Sequence, residues 1–300
     1  MSIFRWYIAL RKSVLTLIVS FLSLIMVLLA TPSNSLGKVN ELIIFGDSLS
    51  DVGNVYKVTN GIYPPNPPYF QGRYSNGLVW VEYIASKFGL SPKQITNFAY
   101  GGATTVKVGS YGIPGLLGQI NNFQSVQSRA NNNALYIVWA GANDYLYGTA
   151  NTTMPVDPPG NLAMSIQSLS LMGAKKILVA NLPDLGNLPH TRNSSNSNIL
   201  TASTNSHNLS LSKSLDVLRK KFGSDTEIIE LDANSLYKEA ISNPAKFGFT
   251  NVQEACLKNL SSCDNPDKFL FWDGIHPTSA GHRILAEAAL SKLENQLCFR

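Results

Sequence analysis

Short apolar runs alternate with amphipathic segments along most of the chain, and this alternation limits the possible folds more than any other feature. Each run ends at Gly, Pro or polar residues, as buried parallel strands do. The predicted strands are Glu41–Phe45, Lys93–Phe98, Ala134–Ala140, Lys175–Ala180 and Thr226–Leu231. Strands that alternate with helices predict an α/β fold with a mostly parallel sheet, covered by helices on both faces in one domain.

The segments between these strands have the residue spacing of amphipathic helices. Helices are predicted from near Ser75, through Leu116–Phe123, Leu162–Leu169 and Leu211–Phe222, and after Pro277. A loop is predicted over Thr149–Gly160, and a long polar stretch, Arg192–Asn205, precedes the fourth helix. Ligands bind such sheets beyond the carboxyl ends of the strands, so the residues that follow each strand are the first candidates for a site.

Residues 1–35 differ from the rest of the chain. Arg5, Arg11 and Lys12 precede or border an uncharged apolar run over residues 13–30, and small polar residues follow. This order is typical of a secretory signal peptide, with an uncleaved N-terminal anchor as the alternative, because the run is near the length of a bilayer span. Both interpretations place the remaining domain, residues 36–300, outside the cytoplasm, in an extracellular or periplasmic location.

The charge balance excludes one class of partner. The formal net charge of +5 comes from 24 basic and 19 acidic residues, and without the three basic residues of positions 1–35 it is 21 − 19 = +2. No basic stripe or cluster follows in the sequence. We therefore predict no nucleic-acid binding.

The cysteines and histidines predict a disulfide and no metal site. Cys256 and Cys263 lie seven residues apart in a polar segment and are predicted to close a small disulfide, with unpaired thiols as the alternative. Cys298 is left over near the C-terminus. The four histidines are scattered, and no Cys/His array has metal-ligand spacing, so neither a metal nor another cofactor is predicted.

Candidate catalytic residues follow three of the predicted strands, and a further pair lies near the C-terminus. Ser48 follows the first strand and is a candidate nucleophile, although a helix-capping role is the alternative. Gly101 and Gly102 follow the second strand and permit a close backbone approach, and Asn143 after the third offers an amide donor. Asp273 stands three residues before His276, where a carboxylate can fix the imidazole tautomer.

These residues occur in ordered blocks that resemble the GDSL family of SGNH hydrolases. The matching stretches are FGDSLSDVGN (45–54), NFAYGGAT (97–104), GAND (141–144) and DGIHPT (273–278). The segment YFQGRYSNGLVWVE (69–82) resembles the branch with phospholipase- and haemolysin-like members and plant GDSL lipases. The resemblance covers roughly residues 40 to 293 and implies a flavodoxin-like, three-layer α/β/α sandwich around five parallel strands.

The resemblance also implies a role for each residue. Ser48 would attack an ester carbonyl, His276 would carry the proton, and Asp273 would orient His276. The oxyanion would be held by the backbone N–H of Ser48, the backbone N–H of Gly102 and the side chain of Asn143. Other residues near these blocks receive noncatalytic or pocket roles. Asp47 and Asp51 are predicted turn and cap residues, Asp144 a helix cap and His282 noncatalytic. The aromatic loops Tyr63–Phe70 and Tyr145–Tyr147 are candidate pocket walls, with loops that pack on their own rings as the alternative.

Several functions remain compatible with this interpretation. The leading one is an exported lipase or esterase, including phospholipase or lysophospholipase activity, with an ester or acyl-lipid substrate and contact with a lipid surface. No protein partner is evident. The alternatives are a polysaccharide O-acetyl esterase and a catalytically silent surface-binding protein that keeps the fold.

Overall fold

The computed structural model describes residues 39–109, 112–148 and 156–297. The predicted export segment, residues 1–35, and Cys298 lie outside the described residues. The strands are β1 (Glu41–Gly46), β2 (Ile95–Asn97), β3 (Ala134–Trp139), β4 (Lys176–Ala180), β5 (Glu227–Leu231), β6 (Asn251–Ala255), β7 (Leu257–Lys258), β8 (Ser261–Ser262) and β9 (Phe269–Phe271). The helices are α1 (Asn54–Val58), α2 (Trp80–Lys87), α3 (Leu116–Val126), α4 (Ala142–Leu146), α5 (Pro158–Met172), α6 (Ser197–Phe222), α7 (Ala233–Ser242) and α8 (Ser279–Leu297).

The first five strands form one parallel sheet in the order β2-β1-β3-β4-β5. This is the flavodoxin-like order of a doubly wound sheet, in which the strand order reverses beside β1. The β3 strand lies at the centre, and all six of its residues are buried. The carboxyl ends of β2, β1 and β3 are therefore neighbours at one edge of the sheet, where the candidate residues were expected.

Alternate side chains of the central strands supply two separate cores. Leu42 and Ile44 of β1 pack with α2, α7 and α8 on one face, whereas Ile43 and Phe45 pack with α3, α5 and α6 on the other. Side chains of a strand point alternately to opposite faces, so one short strand can serve both layers. The structure confirms the predicted three-layer α/β/α sandwich with five parallel strands.

Some predicted boundaries are wrong. The second strand is shorter than Lys93–Phe98, because Pro92–Gln94 forms a 3-10 turn and β2 covers only Ile95–Asn97. The helix predicted from near Ser75 begins at Trp80, and α5 begins at Pro158, inside the predicted loop, with the Asp157 side chain as its N-cap.

The largest difference is the start of α6, which lies at Ser197, inside the polar stretch Arg192–Asn205. Hydrogen bonds to the loop after β4 hold this part of the helix. Thr204 Oγ1 accepts from the N–H of Leu185, and the Asn208 side chain donates to the carbonyl of Leu182 and accepts from its N–H. These polar contacts leave no apolar periodicity to detect.

A second region, outside the main sheet, precedes α8. The parallel pair β6–β9 and the antiparallel pair β7–β8 form two small sheets in residues 251–271. The predicted disulfide Cys256–Cys263 is confirmed and lies in this region. None of the helices in the described part of the chain has the length and hydropathy of a membrane-spanning segment.

Candidate active site

Ser48 lies in the turn that leaves β1, and the surrounding backbone leaves it little freedom. The Gly46 backbone is held on both sides by the Gln119 side chain, which accepts from its N–H and donates to its carbonyl, each at 2.8 Å. A Cβ on Gly46 would lie 2.3 Å from the Trp139 carbonyl oxygen, so β1 and β3 approach here only because this residue is glycine. The Asp47 side chain accepts from the Leu49 N–H and closes the turn, as expected of a turn residue.

The Asp273–His276 turn brings an imidazole onto Ser48. Asp273 Oδ1 accepts from the backbone N–H groups of Ile275 and His276 at 2.9 and 2.7 Å. Asp273 Oδ2 lies 2.7 Å from His276 Nδ1, and His276 Nε2 lies 2.8 Å from Ser48 Oγ. Burial alone would raise the pKa of Asp273, but His276 and the hydrogen bonds to the carboxylate lower it to about 2.

The charge on Asp273 decides the direction of these hydrogen bonds. An ionised carboxylate only accepts, so the proton of a neutral His276 belongs on Nδ1. Nε2 then accepts from the Ser48 hydroxyl. This is the order of donors and acceptors that a serine nucleophile and its base require.

Gly102 and Asn143 reach the same cavity as Ser48 and His276. Gly102 has φ +78°, and a Cβ added there would meet no heavy atom within 4 Å, so open space surrounds this part of the loop. Asn143 is buried, and its Nδ2 donates to the Ala103 carbonyl at 2.9 Å. An amide nitrogen carries two protons, so one proton of Asn143 remains for a ligand.

Two carboxylates, those of the buried Asp51 and the partly buried Asp144, fix the loop that carries Gly102. Asp51 caps α1 through the N–H groups of Gly53, Asn54 and Val55, as expected, and it also accepts from the N–H of Gly101 at 2.8 Å. Asp144 does not cap a helix as predicted. It accepts instead from the N–H and hydroxyl of Thr105. Asp51 and Asp144 therefore bind the glycine loop from two sides.

Burial raises the pKa of each of the three carboxyl groups near the nucleophile. The pKa of Asp47 rises to about 7, with the Leu49 N–H and His276 opposing the rise, and the pKa of Asp144 rises to about 6, opposed by Thr105. The pKa of Asp51 is also raised by burial, against the N–H groups that it accepts. Of the carboxyl groups around Ser48, Asp273 is the one whose pKa is lowered, which suits it to face an imidazolium.

A cavity of about 470 Å³ opens beside Ser48. Tyr63, Tyr74 and Tyr147 line it, so both predicted aromatic loops contribute one ring. A smaller apolar depression of about 30 Å³ lies on the other side of Ser48, beside residues that include Leu146 and Leu188. The larger recess can receive one arm of an ester bound at the Ser48 hydroxyl, whereas the smaller one has room for about one water-sized group.

The other aromatic and imidazole groups have separate positions. The Tyr145 hydroxyl lies 3.1 Å from His207 Nδ1. The His207 ring packs against Gly141. His282 is fully buried, neither of its ring nitrogens has a hydrogen-bond partner within the described residues, and burial lowers its pKa to about 3. The noncatalytic role of His282 stays a prediction.

Sequence reasoning assigned no role to Gln119, which holds the Gly46 backbone, and it placed Tyr69 only within the aromatic loop Tyr63–Phe70, without its bond to Asp273. Gln119 is the one amide on the apolar face of α3 between Leu116 and Ile120, and a buried polar residue in such a stripe is a detectable signal. Tyr69 donates to Asp273 Oδ2 at 2.7 Å across 204 residues of sequence. No spacing within one chain segment could have indicated that contact.

Serine, imidazole and carboxylate, hydrogen-bonded in this order at the carboxyl edge of a doubly wound sheet, characterise a serine-hydrolase type of site. The comparison with known proteins gives the same class. The model of the family described as GDSL-like Lipase/Acylhydrolase matches residues 42–289. The chain belongs to this family and is a carboxylic ester hydrolase.

The curated relatives include an acyltransferase, a hemolysin and a plant esterase/lipase by name. The chain is 29% identical to the "Phosphatidylcholine-sterol acyltransferase" of Aeromonas hydrophila, over 87% of this chain and 92% of that protein. It is 29% identical to the "Thermolabile hemolysin" of Vibrio parahaemolyticus, over 88% of this chain and 66% of that protein. It is 26% identical to the "GDSL esterase/lipase At5g45950" of Arabidopsis thaliana, over 86% of this chain and 89% of that protein.

Proposed function

We propose that the protein cleaves acyl esters through an acyl-enzyme on Ser48, with His276 as general base and Asp273 as the residue that orients it. The observation that carries this proposal is the unbroken chain from Ser48 Oγ through His276 to Asp273, with links of 2.8 and 2.7 Å. Residues 36–300 form the hydrolase domain in this proposal.

The reaction runs in two balanced steps. Ser48 Oγ bonds to the ester carbonyl carbon while His276 Nε2 takes the serine proton, and the tetrahedral intermediate expels the alcohol, which takes that proton from Nε2. Water then gives a proton to Nε2 and attacks the acyl-enzyme. Collapse of the second intermediate releases the acid and returns the proton to Ser48. Asp273 remains ionised throughout and stabilises the imidazolium.

The oxyanion of both intermediates accepts from the backbone N–H groups of Ser48 and Gly102 and from Asn143 Nδ2. The open surroundings of Gly102 and the remaining proton of Asn143 support this assignment. Fixed donors of this kind act where charge develops in the transition state, and they need no reorganisation during the reaction.

An acyl lipid fits the site better than an acetylated polysaccharide. An acetyl group would fill a small part of the 470 Å³ cavity, whereas an acyl chain can occupy its apolar and aromatic walls. Side chains that are more than half exposed stand on or beside the segments that line this cavity, namely Val58, Ile62, Tyr63 and Tyr147. Such a rim is suited to contact with a lipid surface. The name of the phosphatidylcholine-sterol acyltransferase relative supports the same substrate class.

Export forms part of the proposal. The pattern of residues 1–35 is that of a signal peptide, and a disulfide such as Cys256–Cys263 persists in oxidising compartments. Intact-mass measurement of the exported protein is expected to show an N-terminus between about residues 31 and 38. The full 32.7 kDa chain would instead favour a retained anchor.

The test is hydrolysis of p-nitrophenyl esters from acetate to palmitate by the purified protein and by Ser48→Ala. We expect activity that rises beyond acetate and a loss of at least about 10⁴-fold in the variant, because the covalent route is removed. Phospholipid vesicles and acetylated xylan then separate the two substrate classes. Activity retained in Ser48→Ala would contradict the mechanism, and activity confined to acetyl esters would contradict the lipid assignment.

A further inference from the structure

The carboxylate of Asp273 receives four donors, of which the serine–histidine–aspartate scheme requires only His276 Nδ1. Two backbone N–H groups bind Oδ1, and His276 Nδ1 binds Oδ2. The Tyr69 hydroxyl donates to the same Oδ2 at 2.7 Å. Tyr69 and His276 therefore share one oxygen, and a change in one hydrogen bond changes the charge available to the other.

Packing on both sides holds Tyr69 against this carboxylate. Its ring meets Trp272 edge-to-face, with centroids 6.4 Å apart, and contacts Tyr74 at the same distance. The Tyr74 ring in turn lies 5.1 Å from the His276 ring. The backbone N–H of Tyr69 donates to the Pro65 carbonyl and fixes the loop that carries it. These contacts therefore hold the Tyr69 hydroxyl in position beside Asp273.

The hydroxyl remains a donor throughout the working pH range. Burial, and then the negative charge of Asp273, raise the pKa of Tyr69 well above its ordinary value. An ionised tyrosine beside a carboxylate would place two negative charges in contact. Protonated Tyr69 instead supplies the carboxylate with a fixed dipole at every pH at which an ester hydrolase acts.

We propose that Tyr69 is a positioning residue of the active site, which fixes the rotation of Asp273 and moderates its attraction for the His276 imidazolium. This inference rests on the proposed function and adds a fourth member to the Ser48–His276–Asp273 chain. Tyr69 acts through Asp273 and bonds to no reacting atom.

The sign of its effect on pH dependence follows from the shared oxygen. When His276 is neutral, the negative charge on Asp273 Oδ2 is not neutralised by an imidazolium, and the oxygen binds the Tyr69 hydroxyl strongly. When His276 is protonated, the imidazolium draws on that charge and the tyrosine bond weakens. Removal of the hydroxyl therefore destabilises the neutral-imidazole state more, and the acidic limb of the activity profile moves to higher pH.

Other titratable groups interact with Asp273 and His276, and a test of Tyr69 must leave these groups unchanged. They are Asp47 and His282 near His276, Tyr74 against its ring, and Tyr63 and Tyr147 near Asp273. A Tyr69→Phe substitution leaves all of them in place. It removes one oxygen and keeps the ring that packs on Trp272 and Tyr74.

The experiment compares the pH profile of kcat/KM for Tyr69→Phe, wild type and a matched control, Tyr136→Phe. Tyr136 also loses a hydrogen bond in its variant, because its hydroxyl donates to the Asn131 carbonyl at 3.2 Å, at the amino end of β3. We expect the acidic limb of Tyr69→Phe to move up by about 0.5 to 1 pH unit. We expect its kcat to fall about 3- to 30-fold with little change in KM. Tyr136→Phe should keep the wild-type limb and kcat.

A second readout avoids the substrate. The rate at which an organophosphonate labels Ser48 depends on the same base, so its acidic limb should move by the same amount in Tyr69→Phe. If the acidic limb of Tyr69→Phe is unmoved in both measurements, the proposal is overturned. This holds even if kcat falls, because a purely structural tyrosine would lower kcat without moving the limb. If Ser48→Ala keeps its activity, the proposed function fails and this inference fails with it. If Ser48→Ala is inactive and the limb is unmoved, only this inference fails.

Discussion

Ser48, Gly102 and Asn143 follow three adjacent strands of one parallel sheet, whereas Asp273 and His276 lie in a turn that no strand of that sheet carries. We call the first three residues the strand-end half of the site and the second two the C-terminal half. Backbone pairing over whole strands places the strand-end half, because β1 pairs with both β2 and β3.

The C-terminal half depends on small local structures and single side chains. The N–H groups of Cys256 and Leu257 donate to the carbonyls of Phe271 and Trp272, directly before Asp273. The disulfide and Trp272 belong to one small apolar cluster, against which Tyr69 packs. Sheet topology therefore brings the proposed oxyanion donors together, with Asp51 and Asp144 holding the glycine loop, whereas contacts between distant segments place the proposed base and its carboxylate. Perturbations of the two halves should therefore have different signatures.

The largest effect is expected in the C-terminal half, from Asp273→Asn. The amide would present its N–H₂ or its oxygen to His276 Nδ1, and the tautomer with a free Nε2 acceptor would no longer be fixed. We expect kcat to fall by about 10³ to 10⁴-fold. The measurement is ester hydrolysis above and below neutral pH, with thermal unfolding as the control for folding. A variant with more than a tenth of wild-type kcat would show that the carboxylate is dispensable.

Asn143→Ala tests the strand-end half and should have a smaller effect. Loss of one oxyanion donor is expected to lower kcat by about 10² to 10³-fold, with KM little changed and the acidic limb of the pH profile unmoved. Asn122→Ala, at an exposed position on α3, is the matched control and should retain full activity. A displaced acidic limb in Asn143→Ala would show that the strand-end half influences the His276 base, which contradicts the separation of the two halves.

The disulfide should have the smallest effect on activity. Replacement of Cys256 and Cys263 together by serine opens a loop of seven residues and is expected to lower the free energy of unfolding by about 2 kcal/mol. We expect kcat to fall only a few-fold, because the backbone hydrogen bonds to Phe271 and Trp272 remain. Urea unfolding measures the first change, and reduced wild type is the control. Unchanged stability would show that the bridge does not support the C-terminal half.

The sequence predicts the strand-end half well because its signals are local. β1 and β3 are continuous apolar runs that end at glycine-containing turns, and parallel strands bring their carboxyl ends to one edge. The D-x-x-H spacing predicts the Asp273–His276 pair for the same reason, since both residues share one turn. That the two halves form one site is implied by the family resemblance, because the FGDSLSDVGN and DGIHPT blocks occur together in the GDSL family.

The missed features depend on contacts between distant segments. Tyr69 reaches Asp273 from a loop 204 residues away, and Asp144 turns from its own helix to Thr105. The first half of α6 is held by polar bonds from Thr204 and Asn208, which produce no apolar period. In each case a few side-chain hydrogen bonds between distant segments decide the position, and such bonds leave no pattern along the chain.

The most direct test of Ser48 as the nucleophile is covalent labelling of the purified protein with a fluorophosphonate, followed by intact mass and peptide mapping. We expect one adduct per chain, located on Ser48, with none on Ser50, whose Oγ accepts from the Trp80 indole N–H. Labelling should be absent in Ser48→Ala and greatly slowed in Asp273→Asn. An unlabelled wild type, or an adduct on any other residue, would contradict the assignment of Ser48 as the nucleophile.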